Sequence, residues 1–282
     1  MLIYGISYWF IKTSIKPDIA LARKLIGSEW GGRFADWILE DYGEHETEVV
    51  RLEQLSRKIA PALAIIYAFG GSFLAWDFIM TLDQTWFSTL FGVFFLIGNM
   101  HAFLGLMLIV SVTVRNRFGI EEYFSINRLH DLAKMTFAFS LLWTYMGYSQ
   151  YLVIWYADLP EETPFLVIRS MNEPWSTMFL IVILWVFVSV IVGLLPRTLC
   201  RTPNYIRLMG IWVVMGQWLA VYLMVVPSLQ HAGHYHVYLG TYELLITLGF
   251  VGAFFLCYLA FLGKLPILPI SDKHLCRTWH GH

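Results

Sequence analysis

A small set of ionisable and hydroxyl side chains lies within or at the ends of long hydrophobic stretches of this sequence. An ionisable group is costly to place in hydrocarbon, so each such group is a candidate for function. Carboxylate, imidazole, ammonium and hydroxyl groups are also the groups that hold protons or relay them through hydrogen bonds. The candidates for a proton path are Asp77, His101, His130, Asp131, Lys134, Thr144, Tyr145 and Tyr148.

The elements that must position these side chains are hydrophobic segments of membrane-spanning length. The composition is 58% hydrophobic and 14% charged, whereas a soluble domain carries about 25% charge. Segments of about 20 residues or more cross a ~30 Å hydrocarbon core as helices. The first segment is shorter than this, which suggests that the chain begins partway into a helix. The predicted spans cover residues of about 2–15, 60–81, 88–113, 129–156, 174–195, 205–226 and 240–263.

The fold predicted from these segments is an all-α, polytopic bundle of about seven transmembrane helices. The connection between the first two spans mixes acidic and basic residues, which is typical of an amphipathic segment on the membrane surface. The predicted regions are a short first helix at 1–15, this connection at 16–59, six helices at 60–263 and a tail at 264–282.

The distribution of basic residues predicts the orientation of the spans. If the spans alternate in direction, Arg169 alone among the 19 Lys and Arg residues lies on one side. Cytoplasmic loops of membrane proteins carry the excess of Lys and Arg. We therefore expect the 16–59 connection and the C-terminal tail to be cytoplasmic and Met1 to lie on the outer side of the membrane.

Polar candidates in the fourth span fall on one side of the predicted helix. Within an arc of about 100° the helix presents a stripe made of His130, Lys134, Leu141, Thr144, Tyr145 and Tyr148. This stripe is one half of a possible proton path that starts at the cytoplasmic end. The alternative is that His130, Asp131 and Lys134 cap the helix and anchor it at the headgroups, and the sequence leaves both interpretations open.

His101 and Asp77 have structural as well as functional interpretations. His101 lies near the middle of the third span between Gly98 and Gly105, where small residues allow close helix packing. It is either a satisfied core histidine or a proton relay or quinone contact. A haem b with two histidine ligands is excluded, because its second ligand would have to lie near mid-membrane like His101. His130, the other histidine within a span, lies at the inner edge of the membrane. Asp77 is interpreted as a structural hydrogen-bond partner or as a proton-transfer group.

The remaining spans and loops offer little further chemistry. The fifth span has no ionisable residue and the sixth has only Arg207 at its edge, so both are expected to be scaffold. Three histidines, His231, His234 and His236, lie in a predicted outer loop. They are interpreted either as a metal cluster or as part of a loop that faces solvent or a partner. No basic tract suggests nucleic acid. No haem c, iron–sulfur or zinc motif is formed by Cys200, Cys257 and Cys276.

Three stretches of the sequence resemble a known family of membrane proteins. They are DFIMTLDQTWFSTLFG (77–92), RLHDLAKMTFAFSLLWTYMGYSQYLVIWYADLPEET (128–163) and LPILPISDKHL (265–275). They resemble the ActF membrane protein of bacterial alternative complex III, a quinol:electron-acceptor oxidoreductase. The membrane proteins of that complex belong to the polysulfide-reductase membrane family. Members have about ten spans, and this chain resembles the last seven of them.

The resemblance implies a role within a larger complex. Quinol is expected to be oxidised at a sister membrane subunit, beside an iron–sulfur protein, and electrons then pass to multihaem cytochromes that carry haem c. A terminal oxidase is a further expected partner, besides membrane lipid. The ActF protein is expected to hold no redox cofactor. By position, Asp77 and His101 would belong to the outer and middle parts of a proton path, and His130, Asp131 and Lys134 to its inner part.

The function expected from the sequence is therefore a structural and proton-translocating membrane subunit that is not catalytic alone. One rival is a quinone-binding catalytic subunit that uses Asp77 and His101 as proton acceptors. The other rival is a secondary transporter, although the sequence shows neither an inverted repeat nor a pair of Gly- or Pro-broken spans.

Overall fold

The computed structural model describes residues 2–27, 29–121, 124–230, 237, 240–266 and 271. Within these residues all regular structure is helical. The helices are α1 (Leu2–Ser14), α2 (Lys16–Ile26), α3 (Gly32–Leu39), α4 (His45–Phe78), α5 (Thr89–Phe118), α6 (Ile126–Ala157), α7 (Thr163–Ser170), α8 (Trp175–Val182), α9 (Val190–Leu194), α10 (Pro203–Val225) and α11 (Thr241–Leu262). A π-helical segment, Ile183–Ser189, joins α8 to α9.

The prediction of an all-α polytopic membrane bundle is confirmed. Five helical stretches in the described residues are long and apolar enough to cross a membrane: His45–Leu82, Thr89–Phe118, Trp175–Leu194, Pro203–Leu229 and Thr241–Leu262. These correspond to five of the seven predicted spans. The first predicted span forms α1, whose 13 residues are too few to cross ~30 Å of hydrocarbon.

The fourth predicted span forms α6, which has 32 residues and is long enough to cross the bilayer. It is less apolar than the other five because Thr, Ser, Tyr and Gln residues interrupt it. Ser125 caps its first turn by accepting a hydrogen bond from the backbone N–H of Arg128, at 3.5 Å. The helix ends at Ala157, because the next residue, Asp158, has a left-handed φ of 46° that cannot continue a helix.

The chain divides into two compact units, one formed by residues 1–67 and 238–282 and the other by residues 68–237. In the first unit, Ile19, Ala35 and Ile38 form a small buried core between α2 and α3. Arg23 fastens α2 to α3 through a 2.7 Å ion pair with Asp36. This unit also contains α1, the start of α4 and α11.

The second unit is built around α5, which packs against both α6 and α10. Glycines allow the backbones of α5 and α10 to approach closely. A Cβ atom added to Gly105 would lie 2.8 Å from a Val213 methyl group, and one added to Gly210 would lie 2.6 Å from the Gly105 carbonyl oxygen. Interfaces of small residues are a common means of packing helices within lipid.

Different side chains fill the two ends of this second unit. One end has an aromatic core in which the Trp86 and Phe165 rings stack with their centroids 3.7 Å apart. The other end has an aliphatic core that includes Leu108, Val112 and Ile206. We call the aliphatic end the basic end, because Lys134, Arg197 and Arg201 lie near one another there.

Arg169, the single basic residue of the predicted outer side, is buried at the aromatic end. Its guanidinium donates to the carbonyl oxygens of Leu223, Met224 and Phe165 and to the Ser228 hydroxyl, at 2.6 to 3.2 Å. Three of these acceptors lie at the C-terminus of α10 or just beyond it, where a cation complements the helix dipole. Burial lowers the pKa of Arg169 to about 9, and the guanidinium remains charged at neutral pH.

The π-helical segment leaves a backbone carbonyl group that accepts a hydrogen bond from a side chain of a neighbouring helix. The Ser140 hydroxyl of α6 donates to the Val186 carbonyl oxygen at 3.0 Å. The Trp185 indole stacks on Trp212 of α10, with 4.2 Å between the ring centroids, and donates to the Trp212 carbonyl oxygen. The segment is therefore held by both neighbouring helices, α6 and α10.

Candidate functional site

The centre of the second unit contains a buried pair formed by His101 and Gln217. His101 lies on α5, about 18 Å along the helix from Thr89, and its side chain has no exposed surface. Gln217 lies on α10 and is 4% exposed. The Gln217 Nε2 and His101 Nδ1 atoms are 2.8 Å apart, so a hydrogen bond joins the two helices at this depth.

This hydrogen bond selects the tautomer of a neutral His101. An amide nitrogen can only donate, so Nδ1 of the imidazole accepts and the ring proton lies on Nε2. The Nε2 atom is buried and has no hydrogen-bond partner among the described residues. A buried N–H without a partner is costly, so this position favours a water molecule or a ligand as acceptor.

Trp143 and Gly98 complete the surroundings of the pair. A Cβ atom added to Gly98 would lie 3.1 Å from the Trp143 indole nitrogen and 3.3 Å from the Gln217 side-chain oxygen. The glycine between His101 and the start of α5 therefore leaves room for these two polar groups from α6 and α10. The sequence prediction of close packing at Gly98 thus has a specific cause in the structure.

A cavity of about 280 Å³ adjoins the pair on the Gln217 side. Most of its wall is apolar and aromatic, with Phe94, Phe95 and Trp218 among the lining side chains. Asn99 and Gln217 contribute polar groups to the wall. The volume is sufficient for several water molecules, each of which takes about 30 Å³ in the liquid, or for a small aromatic ring.

The predicted stripe on α6 faces away from this pair. Tyr145 and Tyr148 are 63% and 60% exposed, and Lys134 lies outward in a 3.0 Å ion pair with Asp131. The Thr144 hydroxyl donates to the Ser140 carbonyl oxygen of its own helix, at 2.9 Å. Because these side chains lie on the outside of the unit, a proton path along them would have to be enclosed by water, lipid or a partner chain.

The opposite side of α6 carries polar groups that the sequence interpretation did not select. Thr136 and Ser140 are fully buried, and Trp143 lies one turn beyond Ser140. The Thr136 hydroxyl donates to the Leu132 carbonyl oxygen at 3.0 Å. These hydroxyls are hydrogen-bonded to backbone, so they contribute first to packing.

The two ends of the predicted path are placed in different surroundings. Asp77 is exposed near the end of α4, and no hydrogen bond or ion pair among the described residues joins it to His101. At the basic end, His130 and Lys134 lie together with Arg197 around a second cavity. The structure thus groups the inner candidates and buries His101, and it leaves Asp77 apart from both.

Sequence reasoning missed Gln217, because only ionisable residues were sought in the sixth span. The expectation that this span is simple scaffold is therefore incomplete. The available signal was an amide in the middle of an otherwise apolar helix, since a buried amide requires hydrogen-bond partners. The pairing itself joins residues 116 positions apart and could not be read from the sequence.

Within the described residues no group of three or more His, Cys, Asp or Glu side chains is placed to hold a metal ion. The predicted outer histidines His231, His234 and His236 lie outside the described residues, as does Cys276. Cys200 is buried and Cys257 is exposed, both as free thiols.

The fold and the buried pair define a multi-pass, all-α membrane protein with a histidine held at depth between two helices. A scan against protein-family models and a search of curated proteins both find no match to the chain. The resemblance to a family therefore rests on the three sequence stretches quoted above.

Proposed function

We propose that this chain is an integral membrane subunit of an alternative complex III, with a structural and proton-conducting role and no redox cofactor of its own. The observation that carries the proton-conducting part is His101. One ring nitrogen is held by Gln217, and the other is buried and has no partner among the described residues. An imidazole fixed in this way is suited to pass a proton to water at membrane depth.

The cavity beside Gln217 supports the same proposal. A proton relay within hydrocarbon needs water or hydroxyl groups within hydrogen-bonding reach. The cavity of about 280 Å³ has Asn99 and Gln217 in its wall, so water there would contact Gln217, while His101 itself does not line it. Asp77 and the group at the basic end, His130, Asp131 and Lys134, would then serve as the outer and inner ends of the path.

The structural part of the proposal is supported by the faces that the chain leaves uncovered. Within its own unit, no residue of α11 is buried by the described residues, although the helix is strongly apolar. Lipid or another protein surface must cover such a helix. The proposed partners are a sister membrane subunit, an iron–sulfur protein, multihaem cytochromes and a terminal oxidase in a bacterial inner membrane, with the C-terminus cytoplasmic.

A second candidate function, a quinone-binding subunit, is favoured by one observation. The 280 Å³ cavity has aromatic walls and a polar edge, which are the features of a site for an aromatic ring with carbonyl groups. Bound quinone in contact with Gln217 or His101 would decide for this function. A photoactivatable quinone that labels only other subunits of the purified complex would decide against it.

Co-purification tests the assignment to a complex. Extraction from native membranes in mild detergent should recover the chain together with iron–sulfur and multihaem proteins. Haem and iron spectra of the purified material, with peptide identification of each band, give the readout. Recovery of a lone, stable chain with full activity would contradict the proposal.

The proton-conducting part is tested by changing the two ends of the path separately. Asp77→Asn and His130→Ala should assemble normally in the intact complex, because both side chains are at least partly exposed. Quinol oxidation and proton release are then measured in sealed vesicles. Loss of proton release with assembly preserved supports the path, whereas normal release by both variants would leave the chain as scaffold.

A further inference from the structure

The basic end of the second unit contains a cavity of about 420 Å³ that the proposed function does not explain. We call it the basic cavity, and the residues that line it are His130, Lys134, Phe137, Leu194, Leu195 and Arg197. It lies between the first turns of α6 and the end of α9. These helices pack against each other, so both sides of the cavity are fixed by the bundle.

Positive charge dominates the surroundings of the basic cavity. Lys134, Arg197 and Arg201 all act electrostatically on His130, and among the described residues Asp131 is the one acid that does so. Asp131 is already paired with Lys134 at 3.0 Å. Arg197 and Arg201 make no ion pair or side-chain hydrogen bond with any residue that the structure describes. Arg197, which lines the cavity, thus stays available to bind an anion there, and Arg201 adds positive charge nearby.

His130 lines the basic cavity and also carries an unsatisfied polar atom. Its Nδ1 atom is buried and has no hydrogen-bond partner among the described residues. Lys134, Arg197 and Arg201 repel a further positive charge on this ring, and an anion in the cavity would offset that repulsion. A proton on its way into the membrane would meet the same repulsion unless an anion offset it.

The floor of the basic cavity is apolar and lies at the end of a membrane span. Phe137, Leu194 and Leu195 form this floor, and Leu195 is 68% exposed. The candidate span Trp175–Leu194 ends at this point, so the cations lie at the end of an apolar span, where lipid headgroups are expected. A free inorganic ion would gain nothing from such a floor.

We propose that the basic cavity binds the phosphate headgroup of an anionic phospholipid. Arg197, with Arg201 nearby, would hold the phosphate, Lys134 and the His130 ring would donate at its edge, and an acyl chain would lie over Leu195. Basic pockets between transmembrane helices are suited to such headgroups. A lipid bound here would also neutralise the charge that opposes proton uptake at His130, although the site stands whether or not the chain conducts protons.

The test uses the full chain, in the complex with which it purifies, reconstituted into phosphatidylcholine vesicles. A trace of phosphatidylglycerol with a photoactivatable headgroup is added, and labelled peptides are identified after illumination. Label is expected in the peptides that contain His130 and Arg197. Unlabelled phosphatidylglycerol should compete with it, and equal amounts of phosphatidylcholine should not. Inorganic phosphate, added as a separate competitor, distinguishes a lipid from a free ion.

Charge variants sharpen the result. Arg197→Gln and Lys134→Gln should each weaken competition by phosphatidylglycerol about five-fold, since a basic residue near the surface contributes about 1 kcal/mol. Arg197→Lys keeps the charge and should retain most of the binding, which also shows that position 197 tolerates change. Arg117→Gln is the matched control, because Arg117 is exposed on α5 and does not line the cavity. Equal weakening by Arg117→Gln, or displacement by inorganic phosphate alone, would overturn the proposal.

Discussion

At the scale of single residues, the His101–Gln217 pair fixes one imidazole nitrogen in a hydrogen bond between two helices and leaves the other nitrogen without a partner among the described residues. The hydrogen bond of 2.8 Å fixes Nδ1 as the acceptor and leaves the Nε2 proton available. A histidine with both nitrogens satisfied by the protein would be a structural residue only. The single satisfied nitrogen makes His101 the residue whose function is most directly testable.

Gln217→Ala should separate orientation of the imidazole from folding. Loss of the donor leaves Nδ1 buried without a partner, which costs about 1–3 kcal/mol of stability and releases the ring. We expect the complex to assemble and proton release in sealed vesicles to fall by roughly ten-fold or more. The tautomer of His101, read from the ¹⁵N chemical shifts of labelled histidine, should change at the same time.

The matched control for this variant is Gln54→Ala, because Gln54 is exposed on α4. It should alter neither proton release nor the histidine spectrum. A Gln217→Ala complex with an unchanged histidine spectrum and normal proton release would show that Gln217 only packs α10 against α5.

At the scale of helices, the C-terminus of α10 depends on a side chain from another helix. The last carbonyl groups of a helix have no partner within it, and Arg169 of α7 supplies donors to two of them. The guanidinium also stacks on Phe165, 3.6 Å from the ring centroid, and Phe165 in turn stacks on Trp86. One cation therefore joins α7, α10 and the aromatic core.

Arg169→Gln should destabilise the bundle by about 2–3 kcal/mol, because buried acceptors lose charged donors that a shorter amide cannot reach together. Arg169→Lys should rescue little, since an ammonium lacks the planar, five-donor geometry of the guanidinium. Thermal unfolding in detergent is followed with a thiol-reactive dye that reports exposure of the buried Cys200. Cys257 and Cys276 are replaced by Ser in all variants.

Arg117→Gln serves as the control for this measurement, since Arg117 is exposed and its loss should leave the unfolding temperature unchanged. An Arg169→Gln variant that unfolds at the wild-type temperature would mean that water replaces the guanidinium at the end of α10.

At the scale of the whole molecule, the distribution of charge relates the bundle to its membrane. The single basic residue on the predicted outer side, Arg169, is 4% exposed and serves the interior of the bundle. It therefore adds no positive charge to an outer loop surface. The charge asymmetry that predicts the orientation is stronger on the surface than the sequence count suggests.

Cysteine labelling tests this orientation. A membrane-impermeant thiol reagent applied to intact cells should modify a cysteine introduced by Ala157→Cys, because Ala157 is exposed at the end of α6. Cys276 in the C-terminal tail should react only after the cells are permeabilised. Cys200 and Cys257 are replaced by Ser so that each signal has one source. Reversed labelling of the two positions would invert the predicted topology.

The sequence by itself determined the class of the protein and most of its helices. Long apolar stretches form helices in a membrane because no other structure satisfies their backbone groups there. Five of the predicted spans are therefore found as apolar helices of membrane-crossing length. The position of His101 within an apolar helix followed from the same reasoning, since its place in the sequence fixes its distance from the helix ends.

Only the tertiary structure decided which face of each helix is buried. Hydrophobicity gives no inward direction when lipid and protein interior are equally apolar, so the stripe of Tyr145 and Tyr148 could not be assigned to a side. The pairing of His101 with Gln217 depends on the close approach of α5 and α10 at Gly105 and Gly210. That approach is a property of packing between distant segments, and no local pattern in the chain encodes it.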